Sequence, residues 1–159
     1  MSHALQLLRS WSGVWSGEIE HESGALLNGR VSVPPILEGH AMVMHAEITD
    51  RDTGRLMRGL RMVFAQGPDG VVQTLTFSTQ LGVFGLEQTQ DDEDVIAMMG
   101  ITETGVQINV TFREEAPVTI LLTVFWRPQG TSLPGVATPG LFGRVHRRAP
   151  WNPAAAGKP

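Results

Sequence analysis

In Trp11-Ser12-Gly13-Val14-Trp15-Ser16-Gly17-Glu18-Ile19-Glu20 the chain passes from helix-like to strand-like periodicity within a few residues. Upstream, Ser2 to Arg9 predicts a short helix, with Ser2 as N-cap and Ala4, Leu5, Leu7 and Leu8 as its apolar contacts. So short a helix persists only when packed on something. From Val14 onward the period becomes two: Trp15, Gly17, Ile19 and His21 share one face, and Val14, Ser16, Glu18 and Glu20 the other. A tryptophan where the first strand begins can stop one end of a barrel with a large apolar area, while glycines let a crossing strand approach closely. The direct role for Gly13, Trp15 and Gly17 is therefore to hold the fold.

The pattern continues outward as strands joined by tight turns. A turn-rich patch at Ser23-Gly24 and Asn28-Gly29 precedes a strand from Arg30 to Val33, which Pro34-Pro35 ends. Strands follow at about Gly39 to Thr49 and Arg55 to Ala65, linked by a hairpin signal at Asp50 to Gly54. Further strands are predicted at Val71 to Ser78, Leu81 to Thr89, Val95 to Met99, Val106 to Arg113, Val118 to Arg127 and Leu141 to Arg148. No helix interrupts them. A succession of about ten antiparallel strands predicts an all-β fold: a single closed up-and-down barrel of the calycin or lipocalin kind, with a short N-terminal helix. One barrel domain spans residues 1–148, and residues 149–159 form a disordered tail.

Composition narrows the partners. The chain has 159 residues, no cysteine and a formal net charge of -4, enough length for one stable core and no thiolate chemistry. Nucleic acid is not an expected partner, because phosphate binding needs a concentrated basic face and the sole local cluster is Arg144 to Arg148. The acidic run Asp91 to Asp94 reads as a turn between strands. No basic-then-apolar leader and no apolar run long enough for a bilayer is visible, so the expectation is a cytoplasmic protein without a membrane partner.

The residues Gly13-x-Trp15-x-Gly17 resemble the GxWxGxG opening of the nitrobindin branch of the fatty-acid-binding-protein-like, or calycin, barrels; the third glycine is Ile19 here. The chain also resembles bacterial DUF1579-type proteins, which open with a short apolar helix and a similar tryptophan and continue as meandering strands. The resemblance covers about residues 5 to 148 and implies a barrel with a ligand cavity. In the last strand Arg144-x-His146 is similar to the R-x-Y pair of fatty-acid-binding proteins, with histidine in place of tyrosine. The nitrobindin likeness implies a second possibility, haem ligated by His146 and acting on reactive nitrogen species.

In a barrel, polar residues on an otherwise apolar strand face become ligand candidates. Parity places His40, Met42, Met44, Ala46 and Ile48 together, with His40 at a barrel mouth. It likewise groups Leu56, Arg58, Leu60, Met62 and Phe64, which makes Arg58 an interior cation awaiting a carboxylate or an anionic ligand. Gln73, between Val71 and Leu75, is a further polar group on an apolar face. The candidate ligand residues are thus Trp15, His40, Arg58, Gln73, Arg144 and His146. The five histidines stand singly, and no phosphate loop, nucleophile elbow or zinc spacing occurs. Binding of a small, largely apolar ligand, with an anionic head near Arg58 or Arg144, is preferred to an enzymatic role, with no metal and no cofactor apart from haem under the alternative. A filled barrel working as an interaction protein, as a homodimer, is the third expectation.

Overall fold

A computed structural model describes residues 2–128, 140–152 and 154. Helix α1 (His3–Ser10) is followed by β1 (Gly13–His21), β2 (Leu26–Val33), β3 (Pro35–Ile36), β4 (Ala41–Asp50), β5 (Leu56–Gln66) and β6 (Val72–Ser78). The second half contributes β7 (Gly82–Asp92), β8 (Val95–Ile101), β9 (Val106–Ala116), β10 (Thr119–Pro128) and β11 (Leu141–Pro150). Each strand pairs antiparallel with its neighbour in the order β2-β1-β11-β10-β9-β8-β7-β6-β5-β4, and a further β2–β4 pairing closes the ring. The predicted all-β barrel of ten strands with one N-terminal helix is the observed fold, and β3 is an extra strand laid on β4. Closure removes every free sheet edge in the ring.

Helix α1 covers one end. Its first turn is capped by Ser2, whose Oγ accepts from the Leu5 N–H at 3.2 Å, and Ala4, Leu5 and Leu8 are buried beneath it. His3 hydrogen-bonds the Glu93 carbonyl at 2.7 Å, and the Ser2 amide donates to Gln66 Oε1 at 2.7 Å. The covered end is therefore where β5 finishes and β8 begins. Trp11 and Trp15 complete the plug at 0% and 1% exposure. The Trp15 indole N–H donates to the Trp11 carbonyl at 2.8 Å, and that of Trp11 to Glu114 Oε2 at 2.6 Å, so both large rings enter the core with their polar atoms satisfied. Arg147 lies over the Trp15 ring with its guanidinium 4.8 Å from the centroid and donates to the Ser10 carbonyl, tying the helix C-terminus down.

Several boundaries differ from the sequence expectation, each for a local reason. Asn28-Gly29 lies inside β2 and forms no turn. Gly29 faces Gly17 across the pair, and the Ile19 side chain occupies the space that a Cβ at residue 29 would need. Gly143 on β11 makes the same concession, so Ile19 spreads over a glycine on either neighbouring strand. That geometry explains why isoleucine serves where the motif has its third glycine. The acidic turn narrows to Glu93-Asp94, because β7 runs on to Asp92, and β9 similarly runs on to Ala116. Charged residues extend strands here because the outer wall of the barrel faces water. Strand β11 reaches Pro150, so the tail expected from residue 149 starts inside a strand, and its remainder from 155 lies outside the described residues.

Candidate functional site

Inside the ring, alternate residues of each strand point to a common lumen. The parity read for β4 and β5 holds, and β9 and β10 alternate likewise: Met42, Met44, Met62, Phe64, Ile108, Val110, Phe112 and Ile120 are all buried in the core cluster. The lumen is not completely filled. A cavity of about 90 Å3 is walled by Met44, Leu60, Phe84, Ile108, Val124 and Leu141 among others. A second space of about 40 Å3 continues towards Trp15 and shares Val31, Met44 and Leu122 with the first. One ordered water needs roughly 10–15 Å3 on such a measure, so the larger space suits a ring-sized group. Met44 and Met62 border it, and their unbranched thioethers let the wall adapt.

Arg58 stands at the uncovered end, where β5 begins. It is partly buried and lines the cavity. Its guanidinium sits 4.5 Å from the centre of the Trp126 ring, a cation–π contact. Gly140 lies against the same indole: a Cβ there would come within 2.5 Å of Trp126 Cζ2. The imidazole of His21 is 6.1 Å from Trp126 on the rim. Burial pulls the pKa of Arg58 below the ordinary guanidinium value, with attraction from Glu22 opposing. The group stays cationic at any physiological pH. Among the described residues no acceptor hydrogen-bonds it, so a half-buried cation whose nitrogens still reach solvent stands at the edge of the apolar cavity.

One polar seam crosses the otherwise apolar wall. On β6 the inward residues are Val72, Thr74, Thr76 and Ser78, while Gln73, Leu75 and Phe77 point outward. Thr76 and Ser78 line the cavity beside Arg58. Gln73 is thereby corrected: it lies exposed on the outer face, opposite Glu87 of β7. The error has a physical origin. Leu75 and Phe77 are 49% and 43% exposed, so the apolar residues of this strand mark its wet side, and hydrophobic alternation points the wrong way.

The other expected ligand residues divide between plug and surface. Trp15 is in the core at the covered end and borders the smaller space. His40 is exposed, immediately after the turn Leu37–Gly39 and beside α1, so it sits at the covered end and not at the mouth. Arg144 projects outward from β11 and forms a two-pronged pair with Glu115, at 2.6 and 3.1 Å. The hydrogen bond from Arg144 is the first cause holding the Glu115 carboxyl below the usual carboxylate range. His146 is also outside, its Nδ1 3.1 Å from Thr119 Oγ1. Both flank a shallow outer groove with Glu18 and Glu20. Haem held by His146 does not fit this geometry, because the imidazole faces away from the lumen and a free volume of about 90 Å3 is well under the roughly 300–1,000 Å3 of sites for drug-sized ligands.

The sequence reading missed Thr76, Ser78, Trp126 and Arg147 as site or plug residues. Trp126 lies two residues from the end of β10, which places it on the rim. Arg147 shares the inward parity of Leu141, Gly143 and Val145 on β11 and pairs with Trp15, so ordinary alternation lays it over that ring. Among the described residues no cluster of three metal-ligating side chains occurs, and no helix is long and apolar enough to cross a membrane.

No family model matches the chain, and no curated protein matches it. Solved structures do. The crystal structure of Rv2717c from M. tuberculosis superposes with a TM-score of 0.70 at 14% identity, covering 91% of this chain and 97% of that one. An S-type phycobiliprotein lyase, CPES from Guillardia theta, superposes with a TM-score of 0.57 at 12% identity over 92% of this chain and 93% of its own. At such identities the likeness concerns the fold: a closed antiparallel β-barrel consistent with the calycin-like architecture.

Proposed function

We propose that the protein is a binding barrel for a compact, largely apolar molecule with an anionic group, the apolar body entering the lumen and the anion meeting Arg58 at the mouth. One observation carries this reading: a partly buried, cationic Arg58 stacked on Trp126, without a hydrogen-bond acceptor among the described residues, at the edge of an apolar cavity. Desolvating a guanidinium is unfavourable unless an acceptor returns the lost hydrogen bonds. A carboxylate does so with two charge-assisted bonds in matching geometry. The cavity volume supports a single ring or short chain over a long acyl tail.

Kinship with DUF1579-type bacterial barrels, and more distantly with nitrobindin and the fatty-acid-binding proteins, belongs to the same reading and is supported by Gly13-x-Trp15-x-Gly17. So does a cytoplasmic setting. Trp126 provides the reporter. Benzoate-type acids added to the wild-type protein are expected to quench its fluorescence saturably, and Arg58→Gln to weaken binding about tenfold or more, the worth of a charge-assisted hydrogen bond. Equal affinity in wild type and Arg58→Gln would sink the assignment.

A second reading, an interaction protein acting as a homodimer, is favoured by the outer wall. Leu75, Phe77 and Val83 are 49%, 43% and 51% exposed on adjoining strands, with Phe77 directly opposite Val83. Contiguous exposed apolar surface is a mark of association sites. Light scattering over a range of concentrations tests it, and a constant monomer mass rules it out.

A further inference from the structure

We infer that the ligand carries a second oxygen acceptor deeper in its apolar body, received by the buried hydroxyl of Thr76 and the half-buried hydroxyl of Ser78; this rests on the anion-binding reading of Arg58 above. Hydrogen counting leads to it. Thr74 Oγ1 accepts the Leu86 N–H at 3.2 Å and shares one hydrogen bond with Thr76 Oγ1 at 3.1 Å. Two hydroxyls own two hydrogens, and that shared bond uses one. Whichever residue donates, the other hydroxyl keeps a hydrogen for which the described residues supply no acceptor. Thr74 is 6% and Thr76 1% exposed, so water outside the barrel does not reach the pair. Of the two, Thr76 borders the cavity.

Ser78 repeats the situation one step nearer the mouth. Its Oγ accepts from the Gln80 N–H at 3.3 Å and the Leu81 N–H at 3.2 Å, which leaves its own hydrogen unused. Leu60 pairs with Ser78, so Arg58, two residues before Leu60 on the same inward face, stands one step beyond Ser78 towards the rim. Thr76, Ser78 and Arg58 thus form an ascending row of donors along the β5–β6 wall. Among the described residues no carboxylate or amide oxygen side chain faces them across the cavity, whose other lining residues are largely apolar. Successive inward residues of a strand are separated by about 6.5–7 Å. A ligand that satisfies the row presents acceptors along one edge, an anion at Arg58 and a carbonyl or ether oxygen about one to two such steps further in, between the levels of Ser78 and Thr76. The chemical class is an oxo- or alkoxy-substituted aromatic or short-chain acid.

A matched pair of probes isolates the deeper contact. In para-acetylbenzoate a ketone oxygen lies across the ring from the carboxylate; in para-isopropylbenzoate a methyl group replaces that oxygen at similar size. Wild-type protein is expected to bind the acetyl compound about tenfold more tightly by fluorescence titration, since an apolar isostere leaves a buried donor unpaired. In Thr76→Val the ratio of the two affinities is expected to fall to about one, whereas Thr76→Ser, which keeps the hydroxyl, restores it. Arg58→Gln weakens both acids and preserves the ratio. Circular dichroism confirms that each variant is folded before it is titrated. Equal wild-type affinity for the two acids, or a preference that survives both Thr76→Val and Thr76→Val/Ser78→Ala, overturns the second-acceptor inference while leaving the anion site standing. Failure of both acids to bind the wild type overturns both.

Discussion

Gly17→Val is expected to lower unfolding free energy by about 3 kcal/mol or more, beyond the usual range of about 1–3 kcal/mol for an overpacked core site. The reason is the partner it strikes. A Cβ at Gly17 falls on the carbonyl group of Arg144 and within 2.9 Å of the Val145 Cα, all backbone atoms of β11. A side-chain neighbour could rotate aside, but β11 is fixed by pairing with β1 on one side and β10 on the other. The β1–β11 ladder would have to part, and it is one link of a ring whose stability depends on closure. Gly24 is the control: it has positive φ, +83°, yet nothing within 4 Å of its added Cβ. Gly24→Asn, which tolerates that conformation, is expected to stay within about 0.5 kcal/mol of wild type. Urea midpoints measure both. A Gly17→Val midpoint matching that of Gly24→Asn would show that the strand crossing has more freedom than its geometry implies.

Much of this fold was legible because period-two alternation and turn chemistry agree along most of the chain. Val106 to Phe112 place apolar residues inward without ambiguity, while Leu121 and Phe125 blur the alternation of the next strand, and Asp50 to Gly54 makes the turn its composition demands, with Asp50 Oδ1 accepting from the Thr53 amide at 2.8 Å. The site was legible only where charge conflicts with burial. Arg58 stood out as a cation on an apolar face, and it does reach the lumen wall. Thr76 and Ser78 could not stand out, because threonine and serine pass as solvent-facing strand residues, while Leu75 and Phe77 imitate a core face. Arg144 and His146 illustrate the opposite failure. Their spacing invited a ligand role, but their parity is that of Glu18 and Glu20 across the pair, and outward parity sends them to water. Arg147 has the inward parity of Leu141, Gly143 and Val145, but only the pairing with Trp15 in three dimensions gives that cation a ring to lie on.

Trp15→Ala is expected to cost about 3–5 kcal/mol, the range for deleting a large aromatic from a core. Three losses coincide. The cavity left is contiguous with the smaller space already bordering Trp15, so the walls have little to collapse onto. The Trp11 carbonyl loses its indole donor in a buried setting. Arg147, whose Nε is buried without a partner, loses the ring beneath its guanidinium. Trp15→Phe keeps a ring beneath Arg147 and isolates the loss of the indole donor, with an expected cost of about 1–3 kcal/mol for the unpaired Trp11 carbonyl. Trp126→Ala, at the mouth, is expected to cost less than Trp15→Ala because its ring is only partly buried, while weakening ligand binding by exposing Arg58 to water. The two tryptophans therefore predict opposite orders: Trp15 ranks first by thermal or urea unfolding, and Trp126 first by ligand titration on the folded variants. That crossing is what a plugged end and an open end require, and it fails if Trp15→Ala unfolds at the wild-type midpoint or if Trp126→Ala binds acids unchanged.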